Sequence, residues 1–158
     1  MAVHDYRFVT KWRVDGTRDE VYRILEDPEG LPRWWGDVYL DVRVISPGEE
    51  SGVGRLVALH TRGWLPYHLR WRLRVTDTSR PAGFGFEASG DFEGTGRWKF
   101  LQDGPAVDIQ FDWVVRAEKP LLRYGSVIFK PLFAANHHWA MARGEQGLRL
   151  ELARQRAR

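Results

Sequence analysis

The sequence predicts an α+β fold: a seven-stranded curved antiparallel sheet wrapped around a long C-terminal helix, with two short helices between strands 1 and 2. Three observations carry this. The segment Thr17 to Trp35, TRDEVYRILEDPEGLPRWW, reads as two short capped helices directly behind a first strand. Six alternating stretches separated by turn residues follow it. After Pro120 the pattern changes to the 3.6-residue period of one long helix.

At 158 residues, with 43% hydrophobic and 28% charged composition, the chain is sized for one domain, residues 1–158, able to bury a core. Cysteine is absent, which excludes disulfides and thiolate metal sites but not export. The N-terminal stretch MAVHDYRFVTKW lacks the apolar run of a signal peptide, and no stretch approaches the roughly 18 uncharged apolar residues of a membrane helix. A cytoplasmic monomer or homodimer without a transmembrane segment is therefore expected. The net charge of +3 comes from 24 basic and 21 acidic residues, with a local excess at Arg149, Arg154, Arg156 and Arg158. That bias is too weak to argue for nucleic acid.

In residues 4–14, Tyr6, Phe8, Trp12 and Val14 share one phase and Arg7, Lys11 and Arg13 the other, which is the two-residue period of a half-buried strand. Thr17 and Glu20 predict a capping box, and Val21, Ile24 and Leu25 then form one apolar helical face ending near Asp27. Asp27 before Pro28 starts a second short helix that runs through Leu31 to Trp35 and ends at Gly36. Strands are expected over 38–46, 54–62, 66–77, 82–88, 92–102 and 106–117. Gly48, Gly52, Asp77 to Pro81, Gly90 and Asp103-Gly104 mark the reversals, so the connections are short and antiparallel. Tyr67, Leu69, Trp71, Leu73 and Val75 oppose His68, Arg70, Arg72 and Arg74, and Val107, Ile109, Phe111, Trp113 and Val115 oppose Asp108, Gln110 and Asp112. In the last helix Leu121, Ile128, Leu132, Ala135, Trp139 and Ala142 form a stripe continuing to Leu148 and Leu152, with a kink or break expected near Phe129 to Pro131.

Seven strands about 4.8 Å apart make a sheet roughly 30 Å wide, whereas a helix is only about 10 Å across. A twisted sheet must therefore curl around the helix and leave a tapering cavity, and Gly83, Gly85, Gly94 and Gly96 suit such bending. The helix pair closes one end.

The stretch DEVYRILEDPEGLPRWW resembles the helix-pair segment of the START-like or Bet v 1-like (SRPBCC) superfamily. FDWVVRAEKPLLRY, Phe111 to Tyr124, and KPLFAANHHWAMARGEQGL, Lys130 to Leu148, resemble the closing strand and helix of its small bacterial polyketide cyclase/dehydrase-like members. His138 departs from the acidic residue expected there in such relatives. The resemblance implies a helix-grip fold and a hydrophobic, aromatic or lipid-like small molecule bound or carried in the cavity. The alternative it implies is a polyketide aromatase/cyclase or dehydratase acting on a substrate held in the same place.

Trp12, Trp71, Trp98 and Trp113 fall in the apolar phase of their strands, joined by Phe84, Phe86, Phe100 and Phe111. Rings in such numbers favour a ring-containing apolar ligand. The candidate ligand-binding residues are Trp34, Trp35, Tyr67, Trp71, Phe84, Phe86, Trp98, Phe111, Trp113, Leu132, Asn136 and Trp139, with Trp34, Trp35 and Trp64 at the rim. Polar inner-phase groups are few: Tyr6, Thr10, Tyr67, His60 and Asn136. Tyr67 and His60 are the catalytic candidates, although no carboxylate pair and no His–carboxylate pair faces inward. A cyclase that works by shaping its substrate needs few such groups. His137 and His138 lie about 100° apart on the helix and cannot grip one metal together, and Gly94-x-Gly96 lacks the third glycine and following helix of a dinucleotide loop. No metal or cofactor is expected. The outward stripe Arg7, Arg70, Arg72, Arg74, Arg97 and Lys99 is read as a solvated face neutralised across strands by Asp108 and Asp112.

Overall fold

The computed structural model describes residues 5–63, 68–117 and 126–157. Strand β1 (Asp5–Asp15) leads into helix α1 (Arg18–Leu25), a 3-10 turn (Pro28–Gly30) and helix α2 (Leu31–Trp34). Strands β2 (Tyr39–Ser46), β3 (Leu56–Arg62), β4 (His68–Ser79), β5 (Gly83–Gly90), β6 (Phe92–Asp103) and β7 (Ala106–Ala117) follow, and helix α3 (Ser126–Arg156) closes the chain. All seven strands form one antiparallel sheet in the order β1-β7-β6-β5-β4-β3-β2. Consecutive strands from β2 to β7 are neighbours, while β1 pairs with β7, Trp12 opposite Ile109. The two edges, β1 and β2, are adjacent in sequence, so the chain must cross the full width of the sheet between them. The helix pair makes that crossing.

The local chemistry of this crossing follows the sequence closely. Thr17 and Glu20 form the reciprocal capping box, each satisfying a backbone N–H of the other. Asp27 accepts from the Glu29 N–H and sets Pro28 in the first turn of the 3-10 segment, where its missing donor costs nothing. Val21, Tyr22, Ile24 and Leu25 are buried from α1, and Leu31 and Trp34 from α2.

Helix α3 departs from expectation in two ways. It runs unbroken through Pro131, because that residue lies within the first two turns, where only one backbone bond is forfeited. Its buried side matches the expected stripe only at Leu148 and Leu152: Ala135 and Ala142 are exposed, and Met141, Gly144 and Glu151 are buried as well. Close approach selects this face. A Cβ on Gly144 would lie 2.5 Å from the Trp35 ring and 2.9 Å from Trp12, and one on Gly147 would overlap the Trp34 carbonyl oxygen.

Glu151, 1% exposed, ties α2 to α3. It accepts from Arg33 Nη2 at 2.7 Å, from Gln155 at 3.0 Å and from Arg154. Burial alone would raise its pKa, but the bonds from Arg33, Gln155 and Arg154 overcome that and lower it from 4.5 to about 2. A depressed carboxylate contributes stability in full above pH 4.5, and the contribution disappears as pH falls through about 2. Both arginines are about half exposed, so water weakens the pairs. Glu151→Gln is expected to cost about 1–2 kcal/mol at pH 7 and to flatten the stability profile between pH 4.5 and 2. Urea titrations at pH 7 and 3 test this; an unaltered profile would refute it.

The outer face of the sheet needs one correction. Lys99 pairs with Asp112 at 3.1 Å and Arg13 with Asp108 at 2.7 Å, but Arg97 turns to Asp77 at 2.8 Å. Arg70, Arg72 and Arg74 form no ion pair among the described residues. Strands β6 and β5 separate β4 from β7, so Asp108 and Asp112 are out of reach. Among the described residues no helix is long and apolar enough to cross a membrane.

Candidate functional site

Between the concave face of the sheet, the helix pair and α3 lies a cavity of about 160 Å³. Its floor is aromatic because every second residue of β4 to β7 points inward. Trp98 stacks on Phe111 with centroids 4.3 Å apart, Phe111 on Trp113 at 5.8 Å and on Phe86 at 6.1 Å, and Trp71 leans on Phe92 at 4.9 Å. Gly96, opposite both Phe86 and Trp113 in register, leaves the space that the Phe86 ring occupies. The glycine does more here than bend the strand: it sets the depth of the cavity floor.

The aromatic candidates divide cleanly. Trp35, Trp71, Phe84, Phe86, Trp98, Phe111 and Trp113 line the cavity, as does Asn136. Trp34 does not; it stacks behind Trp35 at 5.3 Å and packs beneath Gly147. Trp139 is also outside the walls, partly exposed with the Arg143 guanidinium 5.6 Å over its ring. Tyr67 and Trp64 lie outside the described residues, and of Leu132 only the backbone is described.

His60, one of the two catalytic candidates, is on the wrong side of the sheet. Strand β3 buries Val57, Leu59 and Thr61, which turns His60 to the outer face. There its Nε2 lies 2.9 Å from His68 Nδ1, opposite Asp41 on one side and Arg70 on the other. Burial, Arg70 and His68 lower its pKa, against Asp41. It cannot reach a ligand in the cavity.

The polar groups that do line the cavity gather at one end. Thr61 accepts from Trp71 Nε1 at 3.1 Å, which fixes that indole against the floor. Tyr39 stands opposite Thr61 in register, its ring edge-on to Trp35 at 5.1 Å. Trp35 is bolted down in turn, its Nε1 donating to the Ala140 carbonyl at 2.8 Å. One turn earlier on α3, Asn136 packs against Gly63, and His137 stacks on Phe8 at 4.1 Å with its Nε2 3.4 Å from Thr10 Oγ1. Of the charged lining groups, Arg62 is exposed beside Thr61, Arg55 donates to the Glu26 carbonyl at 3.0 Å and to the Pro47 carbonyl at 3.3 Å, and the Glu26 carboxylate pairs with Arg80. Tyr39, Thr61 and His137 were absent from the candidates. The alternation of Val57, Leu59 and Thr61 was the available signal for Thr61; Tyr39, at the first position of its strand, offered none.

Burial, with His138 adding a like charge, lowers the His137 pKa from 6.5 to about 4. The ring is therefore neutral at pH 7, able to donate from one nitrogen and accept at the other. Below pH 6.5 the unfolded chain gains a proton that the folded one refuses until about pH 4, so stability falls across that window. His137→Phe keeps the stack on Phe8 and is expected to remove on the order of 3 kcal/mol of acid destabilisation. Denaturation of both proteins at pH 7 and 4.5 tests it; equal losses would refute it.

A long helix gripped by a curved sheet over an internal cavity defines a helix-grip, START-like protein. The chain belongs to the polyketide cyclase / dehydrase and lipid transport family, whose model matches residues 14–136. No curated protein matches it in sequence. Among solved structures it is similar to a protein from Thermus thermophilus, with a TM-score of 0.80 at 17% identity over 95% of this chain and 99% of that one. A START superfamily protein from Mycobacterium smegmatis aligns with a TM-score of 0.76 at 14% identity, covering 94% and 98%. The Zhui aromatase/cyclase of a Streptomyces species gives 0.74 at 17% identity, covering 98% and 97%. At such identities the likeness shows the fold.

Proposed function

We propose that the protein binds a hydrophobic, ring-containing small molecule in this cavity, as a carrier or sequestering protein. The observation that carries the reading is the cavity itself: about 160 Å³, walled by stacked aromatic rings, with its few polar groups at one end. An apolar cavity of roughly 150 Å³ accommodates a benzene ring, so a ligand of one or two rings matches the space. Flat rings gain about 0.5–1.5 kcal/mol from each favourable stacking contact beyond burial.

A second reading is supported by the family and by the two proton-bearing groups in the walls, Tyr39 and His137. The protein would then act as an aromatase, cyclase or dehydratase, with those two residues taking the place of His60 as candidates beside Tyr67, which lies outside the described residues. Native mass spectrometry of protein from its own host, followed by extraction and identification of the bound molecule, separates the two. A stoichiometric apolar ligand released chemically intact supports the carrier, and turnover of a poly-ketone lost in Tyr39→Phe and His137→Gln supports the enzyme. Absence of any co-purifying molecule, with no quenching of tryptophan fluorescence by apolar probes, would overturn both.

A further inference from the structure

Tyr39 lines the cavity with a hydroxyl whose hydrogen-bonding capacity is not used among the described residues. Its hydroxyl has no hydrogen-bond partner among the described residues, while its ring packs against the core and meets Trp35 edge-on. Burial raises its pKa well above the ordinary phenolic range, so it stays protonated and remains a donor. The buried Nε1 atoms of Trp12 and Trp34 lack an acceptor among the described residues but do not line the cavity. Trp98 and Trp113 line it with no acceptor for Nε1 among the described residues, but their indoles lie stacked in the floor and can only donate, whereas a hydroxyl also accepts. A hydroxyl at the wall of an apolar cavity without a partner calls for an explanation. For Tyr39 the space in front of it supplies one.

We propose that the Tyr39 hydroxyl is the polar recognition point of the cavity, and that the ligand is an apolar ring system carrying an uncharged oxygen, a hydroxyl or carbonyl, at the end that meets it. This rests on the ligand-binding reading above. The neighbours of Tyr39 exclude a charged head there. Thr61 is committed to Trp71, Trp35 to the Ala140 carbonyl, and His137 is neutral. Arg62 also lines the cavity, but it is exposed and opposite in strand phase to the buried Thr61, and Arg55 is held by the Glu26 and Pro47 carbonyls. A carboxylate beside Tyr39 would lose its hydration and meet no buried cation in return, since Arg62 is exposed. A hydroxyl or carbonyl gives up much less and gains one buried hydrogen bond, and a site built for such a bond discriminates against molecules that lack it.

Binding of naphthalene, 1-naphthol and 1-naphthoate at pH 7, measured by isothermal titration calorimetry on wild type and Tyr39→Phe, tests this. In wild type, naphthol is expected to bind about tenfold tighter than naphthalene, and naphthoate weaker than both. In Tyr39→Phe, naphthol and naphthalene become equal within about twofold. The ligand-free variant melts at or slightly above the wild-type temperature, because it loses a hydroxyl that had no partner. Equal affinity for naphthol and naphthalene in wild type, or a preference that survives Tyr39→Phe, overturns the assignment while leaving the ligand-binding reading intact. A clear fall in the melting temperature of the ligand-free variant overturns it as well, since the hydroxyl would then have a partner in the folded chain. Binding of none of the three overturns the cavity reading and this one together.

Discussion

Gly147→Ala is expected to lower the melting temperature by about 5–10 °C, the opposite of what the same change does on an ordinary helix. In a solvent-facing helix interior, alanine is favoured over glycine by about 1 kcal/mol. Here the added methyl would overlap the carbonyl oxygen of Trp34, and backbone cannot rotate away as a side chain can. Either α2 lifts from α3 or α3 shifts along the sheet, and both loosen the Trp34–Trp35 stack and the Arg33–Glu151 pair. Overpacking of this kind costs about 1–3 kcal/mol, and each kcal/mol moves the melting point of a chain this size by about 2–4 °C. Calorimetry against Ala142→Gly, an exposed position on the same helix, supplies the contrast. A Gly147→Ala protein as stable as wild type would mean that the two helices are not in contact.

Ala140→Phe is expected to abolish binding of an apolar probe, lowering affinity by about a hundredfold or more, while leaving the protein at least as stable. Ala140 lines the cavity from α3, and its carbonyl holds Trp35 through a backbone bond that the substitution does not remove. A phenyl group directed into about 160 Å³ takes most of the room a one-ring ligand would use. The filled void replaces lost contacts in the apoprotein, so the thermal midpoint holds or rises. The graded series Val, Leu, Phe should weaken binding progressively in a fluorescence titration, and undiminished affinity in the Phe protein would place the ligand elsewhere.

Strands such as β3 and β4 were readable because they obey a two-residue alternation, the others because glycine, proline or aspartate bound them, and the first helix because Thr17 and Glu20 cap it within four residues. These are local signals, and local geometry honours them. The face of α3 was not readable in the same way. A stripe drawn by apolarity selects Ala135, Trp139 and Ala142, whereas packing selects the glycines that let tryptophans approach and a glutamate buried by three partners. Arg154 and Gln155 lie on the same helix, but Arg33 and the tryptophans are more than a hundred residues away, so no window along the helix contains them. The site split along the same line. Its aromatic floor follows from strand phase, but its polar end depends on which residue of β3 faces inward and on where β2 begins. His60 was drawn inward and Tyr39 overlooked for that reason.

The pairing of β1 with β7 also sets a timetable. Trp12 finds its partner only when Ile109 exists, and a ribosome adding roughly 5–20 residues per second leaves it waiting for on the order of ten seconds. Through that interval the first strand emerges with Tyr6, Trp12 and Val14 uncovered, and β2 to β7 assemble hairpin by hairpin without it. The sheet is thus completed by its oldest strand.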